Sequence, residues 1–238
     1  MDTKTETLTP AAEMARVDPM RFPNESAEYR AARAALLAEE IELRRHMERV
    51  AAQRRALPPG GAVTGDYRFV GEDGAETGLP GLFGDKATLA IYGYMFGPQR
   101  KRPCPMCTNV LDSWDGNAAD VGQHLSLVVV ARSPIETLAA WKRERGWRRL
   151  RFYSDLTGAY TQDYGGLAPD GSENGTFAVF TRRDGTIRHF WSQEMTDGTA
   201  DPGQDPRGAM ATCAPTWLIL DAVPDGRPAD WYPRLSYE

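Results

Sequence analysis

The chain has 238 residues, of which 41% are hydrophobic and 26% charged, with three cysteines and a formal net charge of −5. This is the composition of a soluble globular protein, with length for one substantial domain plus an extension. The acidic balance gives no general attraction to nucleic acid or anionic membranes, three cysteines are too few for a disulfide framework, and no apolar run approaches membrane-span length.

The opening, Met1-Asp2-Thr3-Lys4-Thr5-Glu6-Thr7, has no basic start followed by an apolar core. No secretory signal is read there, and a cytoplasmic location is expected. Residues 1–24 are polar, contain Pro10, Pro19 and Pro23, and read as an N-terminal arm. Residues 25–60 hold the strongest helix signal, rich in Ala, Glu, Arg and Leu and free of Gly and Pro until Pro58. Tyr29, Leu36, Leu43, Val50 and Leu57 recur every seven residues, with Leu37, Ile41 and Met47 widening the stripe. The seam has two uses: docking on its own domain, or pairing with a second subunit as a homodimer. Arg33, Glu40 and Arg54 interrupt it, which argues against an autonomous coiled coil.

Pro58-Pro59-Gly60-Gly61 stops the helix and opens a third segment, 61–238. Tyr67–Val70 and Thr77–Leu79 flank Glu72-Asp73-Gly74, a short hairpin with an Asp-Gly turn. Thr88–Phe96 is a continuous apolar run, expected to be a central strand buried on both faces. A helix is expected from Pro105 to about Asn117, then a second buried strand at Leu125–Ala131. Ser133-Pro134-Ile135-Glu136 reads as a helix start with a capping box, and Gly146 as that helix's end. Leu150–Tyr153 is a third strand. Thr176–Thr181 and Thr186–Trp191 form a hairpin around Asp184-Gly185, and Ala209–Ala222 a closing helix. The aromatic tail from Asp230 to Leu235 is expected to pack back on the domain. Alternating strands and helices followed by a hairpin predict an α/β fold: a mixed sheet with helices on both faces.

The chemistry gathers at Cys104-Pro105-Met106-Cys107. Pro105 fits the first helical position, which leaves Cys104 at a helix N-terminus facing free N–H groups. Such a thiol is expected to ionise easily, aided by Arg100, Lys101 and Arg102. Cys104 is the candidate nucleophile and Cys107 the resolving thiol, a cycling dithiol in a reducing compartment. Its partner would be a protein or a low-molecular-weight thiol or disulfide, and no cofactor is expected. Two other readings stand beside this one: an inactive pair in a non-enzymatic binding module, or a metal site. Zinc would need two more ligands, for which Cys213, His124 and His189 are available. Cys213 otherwise reads as a buried small residue, and His124 as a satisfied histidine at a helix–strand connection. The arginines at 143, 145, 148, 149 and 151 read as a solvated helix end. Asp155, Tyr160, Asp163 and Tyr164 are expected to line the loop facing the cysteine edge.

The stretch from Thr88 to Trp191 resembles the thioredoxin-fold superfamily. The Cys-Pro-Met-Cys pattern is similar to that of glutaredoxins. Phe152–Gly158, Gly175–Phe180 and Asp184–Arg188 resemble the later half of peroxiredoxins. From about residue 30 onward the chain resembles an uncharacterised bacterial thioredoxin-like family. The residues that carry this are Ala38-Glu39-Glu40, Arg54–Pro58, Tyr94–Pro98, Arg132-Ser133-Pro134, Gly146-Trp147 and Asp230–Pro233. The resemblance implies a thioredoxin-like sheet behind a long N-terminal helix and no particular substrate. Three positions depart from the better-known relatives. Gly97 and Lys101 stand where peroxiredoxins carry Pro and Thr or Ser, and Pro103 where thioredoxins carry Trp. Glu173-Asn174-Gly175-Thr176 fills the usual place of a cis-proline, which keeps the metal reading open.

Overall fold

The structure is a computed structural model that describes residues 8–17, 20–194, 199, 215–228 and 230–237. The chain forms two compact units, residues 1–58 and 59–238.

In the first unit, α1 (Ala11–Val17) forms within the segment read as an arm and packs on α2 (Ala27–Arg55). Ser26 caps α2 by accepting the Tyr29 amide at 3.0 Å. The small side chains of Ala11 and Ala15 let α1 approach Ile41, Leu37 and Ala38 closely. The heptad residues point elsewhere: Tyr29, Leu36 and Leu43 are 52%, 53% and 59% exposed.

The second unit is built on one seven-stranded sheet. Its strands are β1 (Arg68–Gly71), β2 (Glu76–Gly78), β3 (Thr88–Gly93), β4 (Ser126–Ala131), β5 (Arg151–Asp155), β6 (Thr176–Arg183) and β7 (Thr186–Ser192). A short helix α3 (Leu79–Leu82) follows β2, α4 (Pro105–Val121) joins β3 to β4, and α5 (Ile135–Arg145) joins β4 to β5. The remaining helices are α6 (Ala159–Asp163) and α7 (Pro215–Asp221). The sheet order is β2-β1-β5-β4-β3-β6-β7. The two most apolar runs, β3 and β4, pair in parallel at its centre, with Ile91 beside Val128. On the other side β3 meets β6 antiparallel, with Ile91 opposite Ala178. The β6–β7 turn carries Asp184 and Gly185 at φ 50° and 75°, which suits a tight hairpin turn. Three parallel strands, β3, β4 and β5, joined by α4 and α5 and extended by the antiparallel β6–β7 hairpin, make a thioredoxin-like mixed α/β fold.

Side chains alternate between two cores. Tyr92, Val129 and Phe152 face α4 and α5, where they meet Leu111, Leu138 and Trp141. Leu89, Ile91, Val128 and Val130 face the other side, with Phe69, Tyr160 and Phe180.

Two local expectations change. Ser133 does not cap α5, because Pro134 occupies the cap position and makes no side-chain bond. Buried Ser133 instead ties the sheet edge together: its amide donates to the Phe96 carbonyl at 3.0 Å, and its carbonyl accepts the Ser154 hydroxyl at 2.8 Å. Of the expected closing helix, residues 215–222 lie among the described residues and Pro215–Asp221 form α7; Cys213 lies outside them. Gly146 does end α5, at φ 72°.

The helix over Cys104 is held to the sheet by a carboxylate. Asp115 on α4 accepts the amides of Arg148, Arg149 and Leu150 at 3.0, 2.8 and 3.0 Å, pinning the α5–β5 loop. Burial opposes its ionisation, but these three donors outweigh burial and lower its pKa. Asp115→Asn should destabilise the protein by about 1–3 kcal/mol near neutral pH. Because the folded-state pKa is depressed, this advantage of the wild type should fade as pH falls through the Asp115 pKa, below the ordinary 3.8. Urea denaturation at several pH values measures both.

Candidate functional site

The last residue of β3 is Gly93, and the chain then loops through Tyr94–Pro103 to α4. Cys104 is the cap residue of that helix, in extended conformation, and Pro105 takes its first turn. The Cys104 amide donates to the Met95 carbonyl at 3.1 Å, and its carbonyl accepts the Thr108 amide at 3.0 Å. The side chain therefore sits at the open end of a 17-residue helix, among N–H groups with no helical partner. Cys107 lies one turn further in. Both are free thiols, 7% and 3% exposed respectively.

Their ionisation is split in opposite directions. The Cys104 pKa falls from 9.0 to about 6, chiefly because the Cys107 thiol faces its sulfur. Burial works against this, and the amides of Cys107 and Met106 and the Tyr232 hydroxyl work with it. Cys107 moves the other way, raised first by its hydrogen bond to the Cys104 sulfur and then by its own burial. The basic run ahead of the motif contributes less than its sequence suggests. Arg100 is committed to Glu173 at 2.7 Å, and Arg102 pairs with Glu144 at 3.1 Å while lying 4.6 Å over the Trp141 ring. The low Cys104 pKa comes from the helix end and the second thiol, not from those cations.

A buried relay fixes the Cys104 backbone. The Trp141 indole N–H donates to the Tyr94 oxygen at 2.9 Å. The Tyr94 hydroxyl lies 2.7 Å from the Thr108 hydroxyl, which donates to the Cys104 carbonyl at 2.9 Å. With Thr108 donating onward, Tyr94 donates to Thr108, so every proton in the relay has one direction. Tyr94 enters the sequence reading only as part of the family resemblance, and Thr108 not at all; neither is marked there as a site residue. The available signal is a threonine four residues after the cap, placed to bond back to the carbonyl at i−4. Tyr94→Phe removes a donor and an acceptor from a closed site. It should lower stability by about 1–3 kcal/mol in chemical denaturation, while leaving the cysteines in place.

Backbone forms the opposite wall. Gly175 precedes β6 where a thioredoxin would place a cis-proline, yet every described peptide bond is trans. A Cβ at Gly175 would lie 3.2 Å from Cys107 Sγ and 3.8 Å from both Met95 Sδ and the Tyr92 oxygen. The buried Tyr92 hydroxyl abuts Cys107 without closing a hydrogen bond of ordinary geometry. Glu173, held by Arg100, ties this segment to the loop ahead of Cys104. From the C-terminal tail, the Tyr232 hydroxyl stands 4.0 Å from Cys104 Sγ.

Other expected site residues lie elsewhere. Strand alternation puts Phe152 in the α4 core and Asp155, three residues on, on the opposite face. Asp155 accepts the amides of Gly158 and Thr161 and the Thr161 hydroxyl. Asp163 accepts the Tyr67 hydroxyl at 2.7 Å, and Tyr160 and Tyr164 stack on each other over Phe180. All four serve the second core. His189 packs on Tyr164 and Phe180 and bonds Ser192, and His124 is exposed at the α4–β4 connection. Among the described residues, no three His, Cys, Asp or Glu side chains converge as a metal site. No described helix is long and apolar enough to cross a membrane.

With the long helix, the Cys-Pro-Met-Cys turn and the Tyr232 tail in place, a family assignment follows. The chain belongs to DUF899, a bacterial protein family of unknown function. The family's pattern matches residues 19–237, which takes in the α2 helix, the cysteine turn and the tail. No curated protein matches the chain by sequence. Among solved structures, this DUF899 protein is similar to peroxidoxin BcpB from Mycobacterium tuberculosis, with 14% identity, a TM-score of 0.46, and coverage of 69% of this chain and 98% of that one. It is also similar to Xylella fastidiosa PrxQ, with 9% identity, a TM-score of 0.46, and coverage of 68% and 97%. A third is a thiol peroxidase from Chromobacterium violaceum, with 17% identity, a TM-score of 0.41, and coverage of 57% and 75%.

Proposed function

We propose that this protein is a thiol–disulfide oxidoreductase working through Cys104 and Cys107. The observation that carries the reading is the placement of two free thiols on the first turn of one helix, Cys104 as its cap residue and Cys107 one turn in, an arrangement that lowers Cys104 to about 6 and raises Cys107. Near neutral pH the outer sulfur is then the thiolate and the inner one the thiol, which is the order the reaction needs.

The Cys104 thiolate attacks one sulfur of a substrate disulfide. A Cys104–substrate bond forms, the substrate S–S bond breaks, and the released thiolate takes a proton from solvent. Cys107 then loses its proton and attacks Cys104 Sγ, displacing the second substrate thiol. The protein ends with a Cys104–Cys107 disulfide and the substrate as two thiols, a two-electron exchange. A cellular dithiol reductant reverses the change in the protein. Protein disulfides and low-molecular-weight disulfides are the substrate classes, in a reducing cytoplasm.

Reduction of insulin with dithiothreitol as donor is the direct test. Wild type should turn over and Cys104→Ser should not; equal rates for the two would sink the reading. Iodoacetamide alkylation supplies the pH signature. Only the thiolate reacts, so the Cys104 rate should climb through a midpoint near pH 6 and level off above it, where an ordinary cysteine climbs near 8.5.

A second reading, a non-enzymatic dimerisation module, is favoured by the exposed seam on α2, where Leu36 and Leu43 stand more than half exposed. Leu36→Glu with Leu43→Glu should convert a dimer to monomer in sedimentation equilibrium. A wild-type chain that sediments as a monomer across the micromolar range removes this reading.

A further inference from the structure

We propose that Tyr232 is a catalytic residue of the exchange reaction, whose phenolic O–H donates to Cys104 sulfur as charge builds or leaves there. The inference rests on the oxidoreductase reading and adds a group to it. The hydroxyl lies 4.0 Å from Cys104 Sγ. That is long for a neutral thiol, and a thiolate draws a donor closer because a charged acceptor shortens and strengthens the bond.

The tail that carries Tyr232 is anchored from several sides. Leu235 packs on the α4–α5 core, and its carbonyl accepts Arg145 Nη1 at 2.7 Å. Trp231 meets the Trp217 ring edge-on, with centroids 5.7 Å apart. Trp217 belongs to α7, whose Thr216 hydroxyl donates to Asn109 on α4 at 3.1 Å. Tyr237 closes the turn by accepting the Arg234 amide at 3.0 Å. These contacts hold residue 232 over the first turn of α4 while leaving its ring 41% exposed. The hydroxyl thus stands where solvent, Cys104 and an incoming disulfide meet. Arg100 and Arg102, just ahead of the motif, do not compete for this role, since carboxylates hold them.

The role is a hydrogen bond and not a net proton transfer. Tyr232 keeps its proton, and the leaving thiolate is protonated by solvent, so the atom and electron balance of the exchange is unchanged. The bond favours the attacking thiolate and the negative charge shared over three sulfurs in the transition state.

Tyr232→Phe keeps the ring and its packing and removes only the donor. The reduced full-length protein is alkylated with iodoacetamide from pH 4 to 10, with Tyr237→Phe as a control in the same tail. In Tyr232→Phe the Cys104 midpoint should rise by about one pH unit, a tenfold loss in the ionisation constant. The plateau rate at high pH should rise about threefold, because a more basic thiolate is the stronger nucleophile. A merely structural residue would not slow the reaction at pH 6 while speeding it at pH 9. Tyr237→Phe removes one anchor of the tail but no donor to Cys104, so its midpoint should move by much less than that of Tyr232→Phe. A Tyr232→Phe curve superimposed on wild type overturns the proposal. So does a shift of equal size in Tyr237→Phe, which would assign the effect to the tail's packing. Thermal melting shows that the variants are folded. Should Tyr232→Phe not fold, Tyr232→Trp, which keeps an N–H donor, and Tyr232→Leu, which keeps none, take its place; equal midpoints in that pair also overturn the proposal. Alkylation needs no substrate, so failure of wild type in the insulin assay with an intact Tyr232 shift would count against the oxidoreductase reading alone.

Discussion

The constraint on which the site depends is the parallel pairing of β3 with β4. Parallel neighbours cannot be joined by a tight turn, so the chain must leave β3, cross a face of the sheet as α4, and return. That crossover needs a helix N-terminus after β3, and once the Tyr94–Pro103 loop has turned the chain, Cys104 is the residue that caps it. Everything special about Cys104 follows from this: free amides at the first turn, a second sulfur one turn in, and enough burial to magnify both. The relay from Trp141 through Tyr94 and Thr108 holds the crossover at its start, and Asp115 holds it in the middle.

Charge near a cysteine in sequence is a poor guide to charge felt by its sulfur. Arg100, Lys101 and Arg102 sit two to four residues before Cys104. Yet Arg100 and Arg102 find carboxylates on Glu173 and Glu144, seventy-three and forty-two residues away. Those acidic partners share no pattern with the arginines, so the neutralisation is invisible until the loops are folded together. The backbone amides that replace them carry no sequence mark either, beyond the proline that permits them.

The parts of the fold written in short-range periodicity were legible. Thr88–Phe96 and Leu125–Ala131 read as strands buried on both faces, and they are the two centre strands. Asp184-Gly185 read as a hairpin turn, and its φ values require that chemistry. Long-range choices were not legible. Ser133 matches a capping box, but its amide and carbonyl are drawn to Phe96 and Ser154, and burial there overrides the local preference. Asp155, Tyr160, Asp163 and Tyr164 cluster in sequence near the end of a strand that reaches the cysteine edge. Strand phase sends Asp155 to the other core, and α6, which follows, carries Tyr160, Asp163 and Tyr164 to that same side. The approach of Tyr232 to Cys104 spans 128 residues and could not be read from spacing.

The bare wall at Gly175 bears on how the inner sulfur moves. Cys107 lies against the Gly175 backbone, with the Tyr92 hydroxyl and the Met95 backbone beside it. Cys104, one turn back at the helix end, faces it with its own sulfur. Rotation about a single side-chain bond is then the natural motion of Cys107, and it leads toward the other sulfur. The pocket acts as a guide rail: a methyl group added at Gly175 would crowd the track by a few tenths of an ångström without touching either thiol's chemistry.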